Sequence, residues 1–129
     1  MSTAAPQKKL VFVVEDDDAV RSLVAAALLA KGYEVVQAAD GMAASELLGK
    51  MGRAPDLLIC DVMMPTIDGY SLVRLIRGKK ELRSIPVIFL TAKTDIGDVV
   101  RGINLGARHY VKKPFSVKDL LDKVDKTIR

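Results

Sequence analysis

The chain has 129 residues, of which 50% are hydrophobic and 28% charged, a composition typical of one soluble globular domain. Its single cysteine excludes an internal disulfide, and no stretch approaches the ~20 apolar residues of a membrane span or resembles a secretory signal. The net charge is +4, but the basic pairs are scattered without interleaved aromatic residues, so we do not expect direct nucleic-acid binding. We expect a cytoplasmic protein that does not insert into membranes.

In chain order, short apolar runs alternate with segments of helical periodicity. The predicted elements are a mobile arm over residues 1–8, a strand over 10–14, a helix over about 18–31, a strand over 34–38, a helix over about 41–51, a strand over 57–60, a helix over 69–77, a charged loop over 78–83, a strand over 85–90, a helix over about 95–105, a strand over 109–112 and a helix over about 116–128. Five strands alternating with five helices predict an α/β domain over residues 9–129. Its parallel sheet should be covered by helices on both faces.

The helix predicted over residues 95–105 is intrinsically the weakest of the five. Gly97 and Gly102 lie inside it, and each costs about 1 kcal/mol relative to alanine. We therefore expect this helix to be the element that can shift most easily.

Acidic side chains follow two of the predicted strands. Glu15 and Asp16 come just after the first strand, and Asp61 follows the run over residues 57–60. Ligands collect at the carboxyl ends of strands in open parallel sheets, so these carboxylates should converge if the two strands are neighbours. Crowded carboxylates repel one another unless a cation lies between them, and oxygen ligands suit Mg²⁺. The pattern predicts a magnesium site that could also take Mn²⁺.

The last two strands end on a hydroxyl and a cation. Thr91 follows the fourth apolar run, and Lys112 and Lys113 end the fifth. Taken alone, Thr91 is an ordinary β-branched strand residue and Lys113 a solvated charge. Together with the three acids, they suit a phosphoryl group held between a metal, a hydroxyl and an ammonium.

Five short motifs occur in one order along the chain. They are Val-Glu-Asp-Asp at 14–17, Cys-Asp-Val-Met-Met-Pro at 60–65, Asp-Gly-Tyr at 68–70, Leu-Thr-Ala at 90–92 and Lys-Lys-Pro-Phe at 112–115. In this order and spacing they resemble the response-regulator receiver domains of two-component signalling systems, of the chemotaxis-regulator type, over about residues 9–128. The resemblance implies a single doubly wound, flavodoxin-like domain with strand order 2-1-3-4-5.

The resemblance also implies roles for the acids. Asp61 would accept a phosphoryl group from the phosphohistidine of a histidine kinase or phosphotransfer protein. Mg²⁺ would be held by Asp16, Asp61 and the backbone carbonyl of Met63, and by Glu15 mostly through water. Many receivers have aspartate at the position of Glu15. The domain would not be a conventional enzyme, although it would catalyse its own phosphorylation and slow dephosphorylation.

The remaining motif residues would form a switch. Thr91 would hydrogen-bond a phosphoryl oxygen, and Lys113 would pair with the phosphoryl group or, before transfer, with Asp61. In the family the Lys113–Pro114 peptide bond is cis. Tyr110 matches the aromatic residue that turns inward when Thr91 moves, and the output surface would be the fourth helix, fifth strand and fifth helix. The protein would be a monomer or a weak, phosphorylation-dependent dimer acting on an unknown target protein.

Two positions are expected to tune hydrolysis of the aspartyl phosphate. In receivers, the residues two after the phosphorylated aspartate and two after the threonine flank the attacking water, and here they are Met63 and Lys93. Met63 has no polar group to orient water, so we expect slow self-dephosphorylation. Lys93 could either steer the water or shield the phosphoryl group.

Other interpretations compete with this one. A haloacid-dehalogenase-type phosphatase needs a second aspartate at the position of Met63, and a flavodoxin-like electron carrier needs a Ser/Thr/Gly-rich loop after the first strand; both are missing. A binding module that acts without phosphorylation, and a receiver belonging to a longer DNA-binding regulator, both remain open. We predict that Cys60 is a core residue. His109, which is not on a helix, is expected to be an exposed strand-end residue and not a relay histidine.

Overall fold

A computed structural model describes residues 7–92 and 96–128. Most of the predicted arm over residues 1–8, and Lys93, therefore lie outside the described residues. The elements are β1 (Leu10–Val14), α1 (Asp18–Ala30), β2 (Glu34–Ala38), α2 (Gly41–Lys50), β3 (Leu57–Asp61), α3 (Gly69–Arg77), a 3₁₀ helix (Lys80–Leu82), β4 (Val87–Thr91), α4 (Ile96–Asn104), β5 (Ala107–Lys112) and α5 (Val117–Ile128). None of the helices in this part of the chain has the length and apolar character needed to cross a bilayer.

The strands form one parallel sheet in the order β2-β1-β3-β4-β5, which confirms the predicted order. The strands β1, β3 and β4 are buried at every position, because helices cover both faces of the sheet centre. Cα pairing places Val14 beside Cys60, so the residues that follow β1 lie next to the end of β3. The sheet order therefore brings the predicted acids to a common edge.

Two apolar layers flank the sheet. Alternate residues of each central strand point to opposite faces, so one strand contributes to both layers. The helices α1 and α5 cover one face, and α2 and α3 cover the other. The buried helix residues are Val24, Leu28, Leu120, Val124 and Ile128 on the first face, and Ala44, Leu48, Leu72, Val73 and Ile76 on the second. The doubly wound arrangement is confirmed.

Short polar side chains begin four of the helices. Asp17, Asp40 and Asp68 each accept a hydrogen bond from a backbone N–H in the first turn of α1, α2 and α3, respectively. Ser116 Oγ accepts one from the backbone N–H of Asp119 at the start of α5. These aspartates are used as helix caps, which distinguishes them from the acids at the sheet edge.

The fifth strand differs from the prediction. It begins at Ala107, two residues earlier than the sequence suggested, and a register irregularity opposite Val87 and Ile88 interrupts its pairing with β4. Because β5 is an edge strand, it accommodates charged residues, and its sequence therefore lacks the continuous apolar run of a buried strand. His109 consequently lies within the strand and is half-buried, so its interpretation as an exposed strand-end residue is wrong.

Arg77, in the last turn of α3, binds backbone carbonyls from two other segments. Its Nε donates to the carbonyl of Leu105, just after α4, at 2.9 Å. Its Nη1 donates to the carbonyls of Arg83 and Ile85 at 2.9 and 2.5 Å. One guanidinium thus ties the end of α4 and the segment before β4 to α3.

We predict that Arg77→Leu lowers the free energy of unfolding by about 2 kcal/mol, because partly buried carbonyls lose a charged donor. Arg74→Leu is the control, since Arg74 is exposed on the same helix, and it should change stability by less than about 0.5 kcal/mol. Urea denaturation followed by circular dichroism measures both. Equal effects of the two substitutions would contradict the role given to Arg77.

Candidate functional site

Three of the predicted acids meet at the carboxyl edge of the sheet. One carboxylate oxygen from each of Glu15, Asp16 and Asp61 lies within 4.8 Å of the others, close enough to share one cation. Among residues 7–92 and 96–128, this is the only such group of acidic, histidine or cysteine side chains. Glu15 is fully buried and Asp61 is 3% exposed, whereas Asp16 is exposed. The cluster is therefore closed by protein on one side and open to solvent at Asp16.

Lys113 brings a positive charge to this cluster. Its Nζ lies 3.1 Å from Asp61 Oδ2 and donates a hydrogen bond to it. The same Nζ lies 2.6 Å from Glu15 Oε1, a contact that the sequence did not suggest. The backbone N–H of Lys113 donates to the carbonyl of Thr91 at 2.8 Å, and the Lys113–Pro114 peptide bond is cis. The ammonium is thus positioned by β4 and held between two buried carboxylates.

The loop after Asp61 is packed tightly against that residue. Asp61 Oδ1 accepts a hydrogen bond from the backbone N–H of Met63 at 3.2 Å, and the Met63 side chain is 53% exposed. Gly69 begins α3 by donating from its N–H to the carbonyl of Val62 at 2.9 Å. A Cβ at Gly69 would overlap the Asp61 carbonyl, so only glycine allows α3 to start this close.

The crowding changes the proton affinity of the side chains. Desolvation, followed by the hydrogen bond and the charge of Glu15, raises the pKa of Asp61 to about 7, although Lys113 opposes the shift. Desolvation alone would raise the pKa of Asp16, but hydrogen bonds with Glu15 and Asp61 outweigh it and the net shift is downward. Desolvation likewise opposes the charge of Lys113, yet Glu15 and Asp61 raise its pKa overall. The cluster therefore keeps an ammonium and favours a proton, or another cation, beside Asp61.

The two predicted switch residues occupy neighbouring strands. Thr91 is fully buried at the end of β4. Tyr110 is half-buried in β5, and its ring packs on that of Phe89 with centroids 5.5 Å apart. The Tyr110 hydroxyl donates to the carbonyl of Asp98 in α4 at 2.9 Å. Its side chain thus points towards α4.

Sequence reasoning missed a second tyrosine beside Tyr110. Tyr70, in the first turn of α3, is buried, and its hydroxyl also donates to the carbonyl of Asp98 at 2.9 Å. Its only sequence signal was membership of the Asp-Gly-Tyr motif. Nothing local in the sequence indicates that a residue of α3 reaches α4.

Cys60 is buried next to the site, as predicted. Desolvation, with the charges of Asp61 and Glu15, raises the pKa of its thiol well above the usual value. The thiol therefore stays protonated and acts as a small core residue.

Comparisons with known proteins agree with this geometry. The response regulator receiver domain family matches residues 11–125. A probable transcriptional regulator, ycf27, of Cyanophora paradoxa is 40% identical over 122 residues, which cover 95% of this chain and 49% of that protein. The chain spans about half the length of the curated relatives it matches.

Solved structures show the same fold. Chemotaxis protein CheY4 of Vibrio cholerae superposes with a TM-score of 0.87 at 30% identity, covering 94% of this chain and 99% of that one. The receiver domain of a Pseudomonas aeruginosa sensor histidine kinase, described with a magnesium ion in its active-site cleft, has a TM-score of 0.82 at 30% identity and covers 95% and 98%. With its fold, its acidic edge and a family match over most of its length, the chain belongs to the response regulator receiver domains.

Proposed function

We propose that this domain is a phosphorylation-dependent signalling switch in which Asp61 accepts a phosphoryl group from the phosphohistidine of a sensor histidine kinase or phosphotransfer protein. The observation that carries the proposal is a buried Asp61 carboxylate held 3.1 Å from the Lys113 ammonium, with two further carboxylates within 4.8 Å. Such a partner implies a cytoplasmic location, and the domain acts as a monomer or as a weak dimer formed on phosphorylation.

In the transfer step, a carboxylate oxygen of Asp61 attacks phosphorus and the phosphorus–nitrogen bond of the phosphohistidine breaks. The electron pair of that bond stays on the imidazole. Negative charge accumulates where the carboxylate meets the phosphoryl oxygens. Lys113 is already held at this point by Glu15 and Asp61, so its charge needs little reorganisation to stabilise the transition state. The buried Thr91 hydroxyl then hydrogen-bonds a phosphoryl oxygen.

The acidic cluster fits a hard divalent cation. Asp16, Asp61 and the backbone carbonyl of Met63 would hold Mg²⁺ or Mn²⁺, because all are oxygen donors and the exposed side of the cluster leaves room for water ligands. Glu15 would act through water, which is consistent with its direct pairing with Lys113. The bound ion supplies positive charge that offsets repulsion between the attacking carboxylate and the phosphoryl group.

Output is assigned to the surface formed by α4, β5 and α5. Tyr110 connects this surface to the site, since it lies in β5 and hydrogen-bonds α4. Val100 and Ile103 on α4 are 49% and 58% exposed, which provides apolar area for a partner protein. Movement of Thr91 towards the phosphoryl group would favour the inward position of Tyr110 and change the presentation of α4.

A second candidate function is suggested by the relatives. Several are described as transcriptional regulators and are about twice as long as this chain, so the domain can be the receiver of a longer DNA-binding regulator. In that arrangement another part of the protein binds DNA and this surface controls it. The phosphoryl chemistry at Asp61 is the same in both cases.

We predict that acetyl phosphate adds one phosphoryl group to the protein in the presence of Mg²⁺, releasing acetate. Intact-protein mass spectrometry measures the adduct, which should be absent without Mg²⁺ and in Asp61→Asn. Asp56→Asn is the matched control, because Asp56 precedes β3 at the opposite edge of the sheet and asparagine can still accept the hydrogen bond from the backbone N–H of Leu10. If the folded wild-type protein forms no adduct, the domain instead acts as a binding module without phosphorylation.

Replacement of Met63 by asparagine should accelerate loss of the phosphoryl group severalfold, because a carboxamide can orient the attacking water whereas a thioether cannot. The side chain is exposed, so the fold should not change. Met42→Asn is the control, since Met42 is similarly exposed on α2. Decay of the adduct after removal of the donor measures the rate; an unchanged or slower rate in Met63→Asn contradicts the assignment.

Without divalent cations, Asp61→Asn should raise the free energy of unfolding at pH 8 by roughly 2–4 kcal/mol, since one pKa unit corresponds to about 1.4 kcal/mol. The pKa of Asp61 is raised from 3.8 to about 7 in the folded protein. The contribution of the protonated carboxyl to stability is therefore complete below pH 3.8 and is lost as the pH rises through 7.

The two proteins should accordingly be equally stable near pH 4, and saturating Mg²⁺ at pH 8 should stabilise the wild type more than the variant. Urea denaturation at both pH values, with and without Mg²⁺, tests this. Equal stability at pH 8 in the absence of metal would show that the Asp61 charge is not disfavoured by folding.

A further inference from the structure

The helix α4 contains a notch that receives the hydroxyl of Tyr110. A Cβ built at Gly102 would overlap the Tyr110 hydroxyl oxygen and crowd the adjoining ring atoms. Any residue larger than glycine at this position would therefore expel the Tyr110 side chain from its place against α4. Glycine is unfavourable inside a helix, so its presence here is explained by the close approach.

Two phenol groups share one carbonyl at this notch. The hydroxyls of Tyr70 and Tyr110 each lie 2.9 Å from the carbonyl oxygen of Asp98 and 3.2 Å from each other. Both phenols are within donor distance of this carbonyl, which as part of α4 is also the acceptor for the N–H four residues on. The first turn of α4 is thereby fastened to α3 through Tyr70 and to β5 through Tyr110.

Tyr70 is itself held firmly. Its ring packs edge-on against Phe89, with centroids 5.0 Å apart, and the Arg101 guanidinium lies 4.8 Å from its centroid. It directly follows Gly69, whose N–H binds the loop that leaves Asp61. Tyr70 therefore connects the proposed phosphorylation loop to the same carbonyl that Tyr110 uses.

We propose that Gly102 and Tyr70 are positioning residues that set the fraction of molecules with Tyr110 turned inward against α4. The notch at Gly102 admits the hydroxyl, and Tyr70 keeps the shared carbonyl in place to accept it. The inward position of Tyr110 and the binding of a phosphoryl group at Asp61 are linked equilibria, so each favours the other. A smaller inward fraction therefore lowers the affinity of the Asp61 site for a phosphoryl group. The inference rests on the proposed function, in which phosphorylation favours the inward Tyr110.

The position of Tyr110 can be measured without phosphorylation. The chain has three tyrosines, so incorporated fluorotyrosine gives three fluorine NMR signals, assignable with Tyr→Phe variants. In Gly102→Ala the Tyr110 signal should shift. It should stay in place in Gly49→Ala, the matched control, because Gly49 lies in α2 with open space around it. If the Tyr110 signal is unchanged in both variants, Gly102 does not position the Tyr110 side chain and the proposal is overturned.

Coupling to the site is measured by binding of beryllium fluoride with Mg²⁺, an analogue of the aspartyl phosphate. Gly102→Ala and Tyr70→Phe should each weaken binding by about fivefold or more. Gly49→Ala should bind like the wild type, and so should Tyr33→Phe, which removes a partly buried hydroxyl that donates to Asp125 on α5. Wild-type affinity in both Gly102→Ala and Tyr70→Phe overturns the coupling.

A double substitution separates positioning from general destabilisation. In a Tyr110→Ala background the notch has nothing to receive, so adding Gly102→Ala should cause no further loss of binding. A full additional loss would show that Gly102→Ala acts on α4 itself and would overturn the proposal. If the wild type neither binds beryllium fluoride nor accepts a phosphoryl group, the proposed function fails. The NMR comparison still tests independently whether Gly102 positions the Tyr110 side chain.

Discussion

The pairing of the Lys113 ammonium with two buried carboxylates is the interaction on which the site depends. Glu15 has no solvent exposure, and an unpaired charge there would cost several kcal/mol. The sheet order makes the arrangement unavoidable, because β1 beside β3 forces Glu15 and Asp61 together. The adjoining strands β4 and β5 then bring Lys113 within reach. The same crowding that requires this lysine also favours a further cation at the exposed side of the cluster.

The helix α4 is attached differently from the other helices. Near its first end, the carbonyl of Asp98 lies within hydrogen-bond distance of the hydroxyls of Tyr70 and Tyr110. Just beyond its other end, the carbonyl of Leu105 accepts a hydrogen bond from Arg77. Hydrogen bonds to single carbonyls can be exchanged at a smaller cost than a buried apolar face, so we expect α4 to shift more easily than the sheet. The exposed Val100 and Ile103 lie on this helix, so a small displacement of α4 would change the apolar surface that is presented to a partner protein.

Much of the fold was predictable because its signals are local. The central strands are continuous apolar runs, and capping residues such as Asp17 and Asp68 mark where helices begin. The edge strand β5 was placed two residues late, because Ala107 and Arg108 face a solvated edge where burial imposes no apolar pattern. The 3₁₀ helix inside the predicted loop was missed for a similar reason, since three residues carry no periodicity.

By itself, the sequence determined the alternation of strands and helices and the order in which acid, hydroxyl and ammonium groups leave the strands. The tertiary structure alone decided which of these groups touch. Lys113 and Asp61 are 52 positions apart, and Tyr70 reaches a carbonyl 28 positions away. Such contacts depend on strand register and on how each helix lies against the sheet. Both are fixed by packing over the whole domain, which no local pattern of residues encodes.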